Sequence, residues 1–174
     1  MRHWLTNITT SSKYPTTADV ERALAAASSK IEERNSVALR ALEVRINGLL
    51  LPAKFVQLVV SGRWRTPSNP TRLHEKFPRG LNFYTFECLL FENAHWIQER
   101  DPVWLGKPRA SSPPGDIDPG RSLIVADLGV GKEQPIALDY RKHDLLPSIL
   151  LLGEADWIEI APTIEDFVEQ IGIL

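Results

Sequence analysis

The sequence predicts an α+β domain with N-terminal helices, a largely antiparallel C-terminal sheet meander and a C-terminal helix packed on the sheet. Three observations lead to this fold class. Apolar residues recur at helical spacing in the first third, short β-rich blocks follow one another in the last third, and a capped amphipathic segment comes after them. This order differs from the strict alternation of helix and strand that a doubly wound α/β fold requires.

The first third of the chain predicts three helices. The first has a stripe formed by Val20, Leu24, Ala27 and Ile31. The stripe of the second is formed by Leu39, Leu42 and Ile46. Asn47-Gly48 is a typical stop for that second helix. A third helix is predicted to begin near Pro52, because proline fits the first turn of a helix, and to end at Gly62.

The middle of the chain predicts one helix and one long loop. Asn82 or Thr85 is a suitable cap for the helix, which must end before Pro102. Its predicted inward positions are Phe86, Leu89, Leu90 and Ile97. Residues 106–120 are rich in proline and glycine and poor in apolar residues, which predicts a mobile loop without regular structure. Long loops in compact domains often carry function, so Asp116 and Asp118 are candidate partner contacts, with an ordinary turn role as the alternative.

The last third predicts four short strands and the C-terminal helix. The predicted strands are residues 122–126, 135–141, 147–152 and 157–162. Their short connections favour antiparallel neighbours, because a parallel crossover needs a dozen or more residues. Thr163 is the predicted helix cap and Asp166 the third residue of a capping box. The apolar stripe of this helix consists of Ile164, Phe167, Val168 and Ile171.

Composition narrows the class of protein. With 174 residues, of which 43% are hydrophobic and 24% charged, the chain has the size and mixture of one globular domain. It contains neither the apolar run of a membrane span nor the apolar centre of a secretory signal, so we expect a cytoplasmic protein without membrane contact. Cys88 is the only cysteine, and the four histidines form no ligand pair. We therefore expect no metal and no other cofactor.

Charge is distributed unevenly along the chain. Residues 63–79 contain five basic residues and one acid, a net charge of +4, whereas residues 144–174 contain seven acids and no Lys or Arg. A field of one sign accelerates encounter with a partner of the opposite sign. Glu154, Asp156 and Glu159 are the acidic candidates for such a contact. The alternative is a solvated face that aids solubility.

The basic segment offers a second binding surface. Trp64 next to Arg65 has the composition of a protein-binding hot spot, and it also suits stacking on a nucleic-acid base. The sequence pI of about 6.1 and the acidic C-terminus argue against broad nucleic-acid affinity. Protein binding is therefore favoured, and packing of Trp64 behind the third helix is the structural alternative.

Two patterns could indicate catalysis or phosphate binding. Gly129-Val130-Gly131-Lys132 is similar to part of a phosphate-binding loop, but Glu133 follows where Ser or Thr is required. A tight turn is the favoured interpretation. Asp127 and Asp139 end neighbouring predicted strands and could meet as a carboxylate pair, although turn roles are favoured for both. The sequence therefore favours a protein that is not an enzyme.

Ordered blocks of this sequence resemble the SUKH superfamily, whose founding member is a yeast regulator of cell-wall synthesis. The early blocks are Ala41-Leu42-Glu43, Leu51-Pro52-Ala53-Lys54-Phe55 and Ser61-Gly62. The late ones include Asp127-Leu128-Gly129, Pro135-Ile136-Ala137-Leu138-Asp139-Tyr140-Arg141, Pro147-Ser148-Ile149-Leu150 and Trp157-Ile158-Glu159-Ile160-Ala161-Pro162-Thr163. The resemblance covers residues 37–174 and leaves residues 1–36 as an N-terminal helical extension.

The resemblance implies an α+β binding scaffold without catalytic residues. Most bacterial relatives are immunity proteins that bind and neutralise a cognate polymorphic or contact-dependent toxin, often a nuclease. We therefore expect a cognate protein toxin as the partner, occluded by this chain. The alternative is an intracellular adaptor or regulator of the same fold without a toxin partner, and a small enzyme comes third.

Overall fold

The computed structural model describes residues 44–109, 113–129 and 134–173. All of them belong to the compact unit Leu39–Leu174. The first predicted helix, residues 39–43 of the second, and residues 130–133 of the predicted phosphate-loop pattern lie outside the described residues. The predicted boundary between residues 36 and 37 also lies outside them.

A six-stranded antiparallel sheet forms the centre of the fold. The strands of the described ranges are β1 Arg45–Ile46, β2 Leu49–Leu50, β3 Asn82–Phe83, β4 Pro114–Gly115, β5 Ser122–Asp127, β6 Pro135–Asp139, β7 Ser148–Leu152 and β8 Trp157–Ala161. The order in the large sheet is β3-β5-β6-β7-β8-β4. Strands β5 to β8 are adjacent in sequence and in space, which confirms the predicted meander. The short strands β3 and β4 extend it at its two edges.

The central strands are covered on both faces. Every residue of β5 and β6 is buried. This explains why their sequences read as nearly continuous apolar runs rather than as alternating patterns. The register pairs Leu123 with Leu138 and Ile136 with Leu151, so large apolar side chains lie opposite each other across three strands. Such cross-strand pairs are a main source of sheet stability.

The described residues form five α-helices. They are α1 Ala53–Val60, α2 Thr71–Lys76, α3 Phe86–Trp96, α4 Pro102–Leu105 and α5 Ile164–Gln170. Helix α3 packs on β5, and α5 packs on β7 and β8. Helix α1 matches the third predicted helix, with Pro52 immediately before it and Gly62 just after its end at a φ of +68°. Helices α2 and α4 were not predicted, because six and four residues are too few for an apolar period to repeat.

The predicted end of the second helix is wrong. Arg45 and Ile46 form β1, which pairs with Leu50 and Leu49 of β2. Asn47 and Gly48 occupy the turn with φ values of +52° and +82°, the conformation that a two-residue hairpin needs. Tyr140 of the segment after β6 donates its hydroxyl to the Leu50 carbonyl at 2.8 Å and ties the hairpin to the core. The Asn-Gly pair is itself a local hairpin signal, and the prediction read it as a helix stop instead.

Helix α3 is present as predicted, but its inward face is different. Thr85 is the cap and accepts from the Cys88 N–H at 3.3 Å, whereas Asn82 lies in β3. Leu89 is buried as expected, together with Asn93 and Trp96, while Phe86 and Leu90 are 41% and 46% exposed. Asn93 faces inward although it is polar, so the apolar pattern did not mark the true inward face. The prediction therefore placed Phe86 and Leu90 on that face instead of Asn93 and Trp96.

The C-terminal helix α5 agrees with the sequence in every feature. The Thr163 hydroxyl accepts from the Asp166 N–H at 3.2 Å and donates to the Asp166 carboxylate at 2.6 Å. All four predicted stripe residues are buried. The helix packs on β7 and β8 and contacts α1. The predicted packing of the C-terminal helix on the sheet is therefore confirmed.

The prediction of a structureless segment over residues 106–120 is wrong for its described part. Strand β4 pairs with Ile158 and Trp157 of β8, and residues 119–121 form a 3-10 turn. Gly106 pairs with Asp116 in an isolated bridge. The close approach depends on glycine, since a Cβ at Gly106 would lie 2.4 Å from the Gly115 carbonyl oxygen. A composition rich in proline and glycine therefore forms an edge strand here.

Candidate functional site

Trp64 lies inside the protein. Its side chain is only 6% exposed, and its ring centroid is 4.9 Å from that of Phe55 and 5.0 Å from that of Phe83, both in edge-to-face geometry. The indole N–H points to the Val125 carbonyl at 3.4 Å. Because these neighbours enclose the ring, the structure removes Trp64 from the predicted partner contacts. Its packing role behind α1 is the one observed, and Arg65 beside it remains exposed.

The basic and acidic segments of the chain meet in the fold. Arg72 contacts the Glu169 carbonyl at 3.4 Å, and Lys76 donates to the Gln170 side chain and to the Ile160 carbonyl, the latter at 3.2 Å. Partial burial lowers the pKa of the Lys76 ammonium. Cations are favourable at the C-terminal end of a helix, where unpaired carbonyls carry partial negative charge. Part of the basic segment therefore stabilises α5 rather than facing a partner.

The acidic candidates are placed on and before β8, and two of them are already paired. Asp156 bonds Arg109 at 2.7 Å, and Glu159 bonds Lys142 at 2.5 Å. Glu154 lies exposed in the turn between β7 and β8. These ion pairs reduce the local negative charge that the sequence suggested. The acidic segment is consequently a weaker electrostatic surface than its composition predicts.

Asp116 and Asp118 have structural roles. Arg141 donates to the Asp116 carboxylate at 2.8 Å, to the Asp116 carbonyl at 2.7 Å and to both Asp139 oxygens at 3.0 Å. Burial opposes the charge of Arg141, but the hydrogen bonds to Asp139 and Asp116 outweigh it and raise the pKa of the guanidinium. Asp118 accepts from the Gly120 N–H at 2.8 Å at the start of the 3-10 turn. The turn role was the alternative that the sequence left open.

Asp127 and Asp139 do not form a carboxylate pair. The register places Asp127 opposite Pro135 and Asp139 opposite Ser122, at opposite ends of the β5–β6 pair. Asp127 accepts from the Tyr84 hydroxyl at 2.8 Å and from the Gly129 N–H at 2.7 Å. Both aspartates therefore organise the chain at strand ends, which is the role that the sequence favoured.

A groove beside α3 is the concave feature that sequence reasoning missed. Its volume is about 460 Å³, within the usual range of ligand sites. The apolar and aromatic wall is formed by Tyr84, Phe91, Trp96, Trp104, Ile124 and Pro135. The charged or titratable part of the wall is formed by Glu92, His95 and Glu99. Trp104 comes from α4 and Pro135 from β6, so the groove is assembled from separate parts of the chain.

The polar side of this groove follows one face of α3. Glu92, His95 and Glu99 are three and four residues apart, the spacing that aligns side chains along a helix and its C-terminal turn. His95 donates from Nδ1 to the Phe91 carbonyl at 2.9 Å, since a carbonyl can only accept. Oε1 of Glu99 accepts from the N–H groups of Arg100 and Asp101, both at 2.8 Å. The spacing was readable in the sequence, but nothing local indicated a cavity.

Three large apolar side chains are exposed on α3, and one of them, Phe91, lines the groove. Phe86, Leu90 and Phe91 are 41%, 46% and 60% exposed. Three large apolar residues on one helix are more than the scattered exposure that soluble proteins usually show. Aromatic residues are also enriched in protein interfaces. We call Phe86, Leu90 and Phe91, together with the groove that Phe91 lines, the α3 surface.

The described residues contain no cluster of three or more His, Cys, Asp or Glu residues suited to hold a metal ion. No helix in these ranges has the length and apolar character needed to cross a bilayer. Comparison of the chain with protein-family models, curated proteins and solved structures gave no match.

Proposed function

We propose that this chain is a SUKH-like immunity protein, acting in the cytoplasm, that binds a cognate protein toxin and neutralises it by occlusion. Two features support the family part of the proposal. The described motif blocks that resemble the SUKH superfamily fall mainly on β6 to β8, on the start of α1 and on the cap of α5, which belong to the central sheet and to helices of the same compact unit. These blocks are mostly buried, as expected for residues that maintain a scaffold.

The observation that carries the binding function is the α3 surface. Exposed apolar residues lose their contact with water when a partner covers them. This transfer contributes roughly 25 cal/mol for each Å² removed from water, and the entropy lost on association opposes it. Among the exposed apolar residues of α3, Phe91 at 60% exposure has the most to gain from such burial. The toxin is therefore expected to cover α3, and the protein acts by binding without turnover.

The test is rescue of cells that express the product of the adjacent gene. The native chain should co-purify with that product and restore growth. Phe91→Asp should abolish both, because a carboxylate would have to be buried in the interface. Val60→Asp is the matched control, since Val60 is 58% exposed on α1, and it should leave rescue intact.

The outcomes separate immunity from adaptor function. Loss of rescue in Phe91→Asp with a folded protein supports the proposal. Equal rescue by both variants excludes α3 as the toxin contact. Co-purification without any rescue favours the adaptor of the same fold.

A further inference from the structure

The loop between β6 and β7 is closed by a histidine ring. Nδ1 of His143 accepts from the N–H groups of Leu145 and Leu146, both at 3.1 Å. A ring nitrogen accepts only through a free lone pair, so these bonds place the proton of the neutral ring on Nε2. None of the described backbone–backbone hydrogen bonds starts at either of the two N–H groups. The ring is therefore the acceptor that holds this turn.

The two leucines are the part of the loop that this acceptor controls. Leu145 and Leu146 are 58% and 57% exposed, whereas Pro147 after them is buried. Asp144 before them pairs with Arg121. The segment on each side of the leucines thus contacts the rest of the fold, and the leucines themselves face water. We call Leu145 and Leu146 the leucine tip.

The charged side chains around the loop are already in ion pairs. These pairs are Lys142 with Glu159, Asp144 with Arg121, and Arg141 with Asp116 and Asp139. Lysine, arginine and carboxylate side chains ordinarily keep their charge between about pH 5 and 8, and histidine is the side chain that changes. Because His143 is exposed, its ring exchanges protons directly with water. A change of pH in this range therefore acts on the ring and leaves the ion pairs in place.

Protonation removes the acceptor altogether. An imidazolium carries an N–H donor at both nitrogens, so no rotation of the His143 ring can offer a lone pair to the leucine tip. The added proton on Nδ1 would face two further N–H groups, and donors repel one another. The leucine N–H groups lie at the surface and can bond water instead, which makes their release inexpensive. Proton uptake and closure of the turn therefore exclude each other.

We propose that His143 is a pH-sensitive switch in the β6–β7 loop: the neutral ring holds the leucine tip in one conformation, and a proton on Nδ1 releases it. The proton comes from water and occupies the lone pair that the two N–H groups shared, so no covalent bond of the chain changes. The switch goes beyond the proposed function, because it involves no residue of the α3 surface and needs no partner. Two exposed leucines thus keep one orientation at neutral pH and lose it in mild acid.

NMR of the full chain labelled with ¹⁵N tests the switch. The pH is lowered from about 8 to about 5 while the ring signals of His143 and the amide signals of the leucine tip are followed. The amide signals should move together with the ring signals and share their midpoint. The backbone order parameters of Leu145 and Leu146 should fall from about 0.85 to below about 0.6, the difference between a rigid and a flexible backbone.

Two variants at position 143 separate the acceptor from the titration. His143→Asn keeps an acceptor, because an asparagine oxygen accepts from the N–H two residues ahead, and it does not titrate. Its leucine tip should stay ordered over the whole pH range. His143→Ala has no acceptor, and its tip should be flexible over the whole range. The control is His74→Asn, which removes an exposed histidine of α2 and should respond to pH as the native chain does.

Three results would each overturn the switch. One is a leucine tip whose order parameters stay constant while the His143 ring takes up its proton. Another is a His143→Ala chain whose tip is as ordered as that of the native chain at the alkaline end of the titration. The last is a pH response of His143→Asn equal to the native one. Release in acid that is seen in the native chain and in His74→Asn, and is absent in His143→Asn, supports the proposal.

Discussion

The side-chain amide of Asn93 forms the two backbone hydrogen bonds with Ile124 of β5 that a neighbouring strand would otherwise form. Strand β3 pairs only with Ala126 and Asp127 of β5, so it does not reach Ile124. Asn93 donates to the Ile124 carbonyl and accepts from the Ile124 N–H, both at 2.8 Å. Unpaired backbone groups are costly when buried. One polar residue therefore closes the edge of the central sheet where no strand is present.

Replacement of Asn93 by alanine should lower the free energy of unfolding by about 3 kcal/mol, because the Ile124 N–H and carbonyl lose their partner inside the protein. Urea unfolding monitored by circular dichroism measures the change. Gln98→Ala, at an exposed position just after the same helix, is the control and should stay close to the native value. A loss of less than about 1 kcal/mol for Asn93→Ala would show that the edge finds other partners.

Gly115 is the residue that permits β4 to approach the loop before it. Its φ is +71°, and a Cβ there would lie 2.4 Å from the Lys107 carbonyl oxygen and 2.7 Å from the Arg109 nitrogen. Gly115→Ala should destabilise the protein by about 3 kcal/mol, because a left-handed conformation and a backbone clash add together.

The matched control for Gly115 is Gly62, which has a similar φ of +68° but open space around it, since a Cβ added there would meet nothing within 4 Å. Gly62→Ala should cost only about 1 kcal/mol, the cost of the conformation alone. Thermal and urea unfolding of the two variants compare these costs. Equal destabilisation would mean that the chain around residue 107 yields to the added methyl group.

At the level of elements, α5 shows how local sequence and tertiary packing agree. Its cap, its first-turn acids and its apolar stripe all favour a helix at the same place. The stripe then meets β7 and β8, where Phe167 and Val168 are completely buried. Helix α3 lacks this agreement, because its inward face contains Asn93 and its outer face contains Phe86 and Leu90.

Removal of the α5 cap should have a moderate effect. Thr163→Ala deletes the hydroxyl that accepts from the Asp166 N–H, and we expect a loss of about 1 kcal/mol of stability. Thr163→Ser keeps the oxygen and should recover most of that loss. Equilibrium unfolding of both variants provides the measurement. If the two variants are equally destabilised, the methyl group of Thr163 and not its hydroxyl is the stabilising part.

At the level of the whole molecule, folding brings basic residues into contact with the acidic C-terminal segment. These contacts reduce the charge asymmetry that the sequence shows. Arg109, Arg121 and Lys142 pair with acids of the C-terminal segment, and Arg72 and Lys76 lie against the end of α5. Such exposed pairs contribute little stability, typically below about 1 kcal/mol each. Their effect is to leave fewer unpaired charges for a partner. For this reason the proposed function assigns the toxin contact to the α3 surface rather than to the acidic segment.

Alkaline pH should destabilise the protein through two buried tyrosines. Burial raises the pKa of Tyr140, and burial together with the hydrogen bond to Asp127 raises the pKa of Tyr84, both from an ordinary value of 10.0. Below that value both hydroxyls are protonated in the folded and unfolded chains, so stability is unaffected. Above it only the unfolded chain loses its protons, and each tyrosine lowers the free energy of unfolding by up to about 1.4 kcal/mol per pH unit.

The variant Tyr140→Phe isolates one of these tyrosines. At neutral pH it should be about 1 kcal/mol less stable than the native chain, because the hydrogen bond to the Leu50 carbonyl is lost. That difference should shrink as pH rises above about 10, since phenylalanine does not titrate. Urea unfolding at neutral and alkaline pH tests this. Parallel stability curves for the two proteins would contradict the raised pKa of Tyr140.

The sequence by itself determined the parts of this protein whose signals are local. The meander from β5 to β8, helix α1 and the capped helix α5 follow from apolar periods, turn residues and caps that lie within a few residues of each other. Asp127 and Asp139 have the turn roles that the sequence favoured, and Asp118 has the turn role that was its alternative to a partner contact. A carboxylate that accepts from an N–H two residues ahead needs no distant partner.

Only the tertiary structure decided the rest. Trp64 lies in the core and the basic segment contacts α5, both through contacts between residues far apart in the chain. The groove likewise depends on α3, α4 and β6 coming together. Whether a residue is buried, and which charge it pairs with, depends on all the residues around it in space. A local sequence pattern contains information only about residues that are close along the chain.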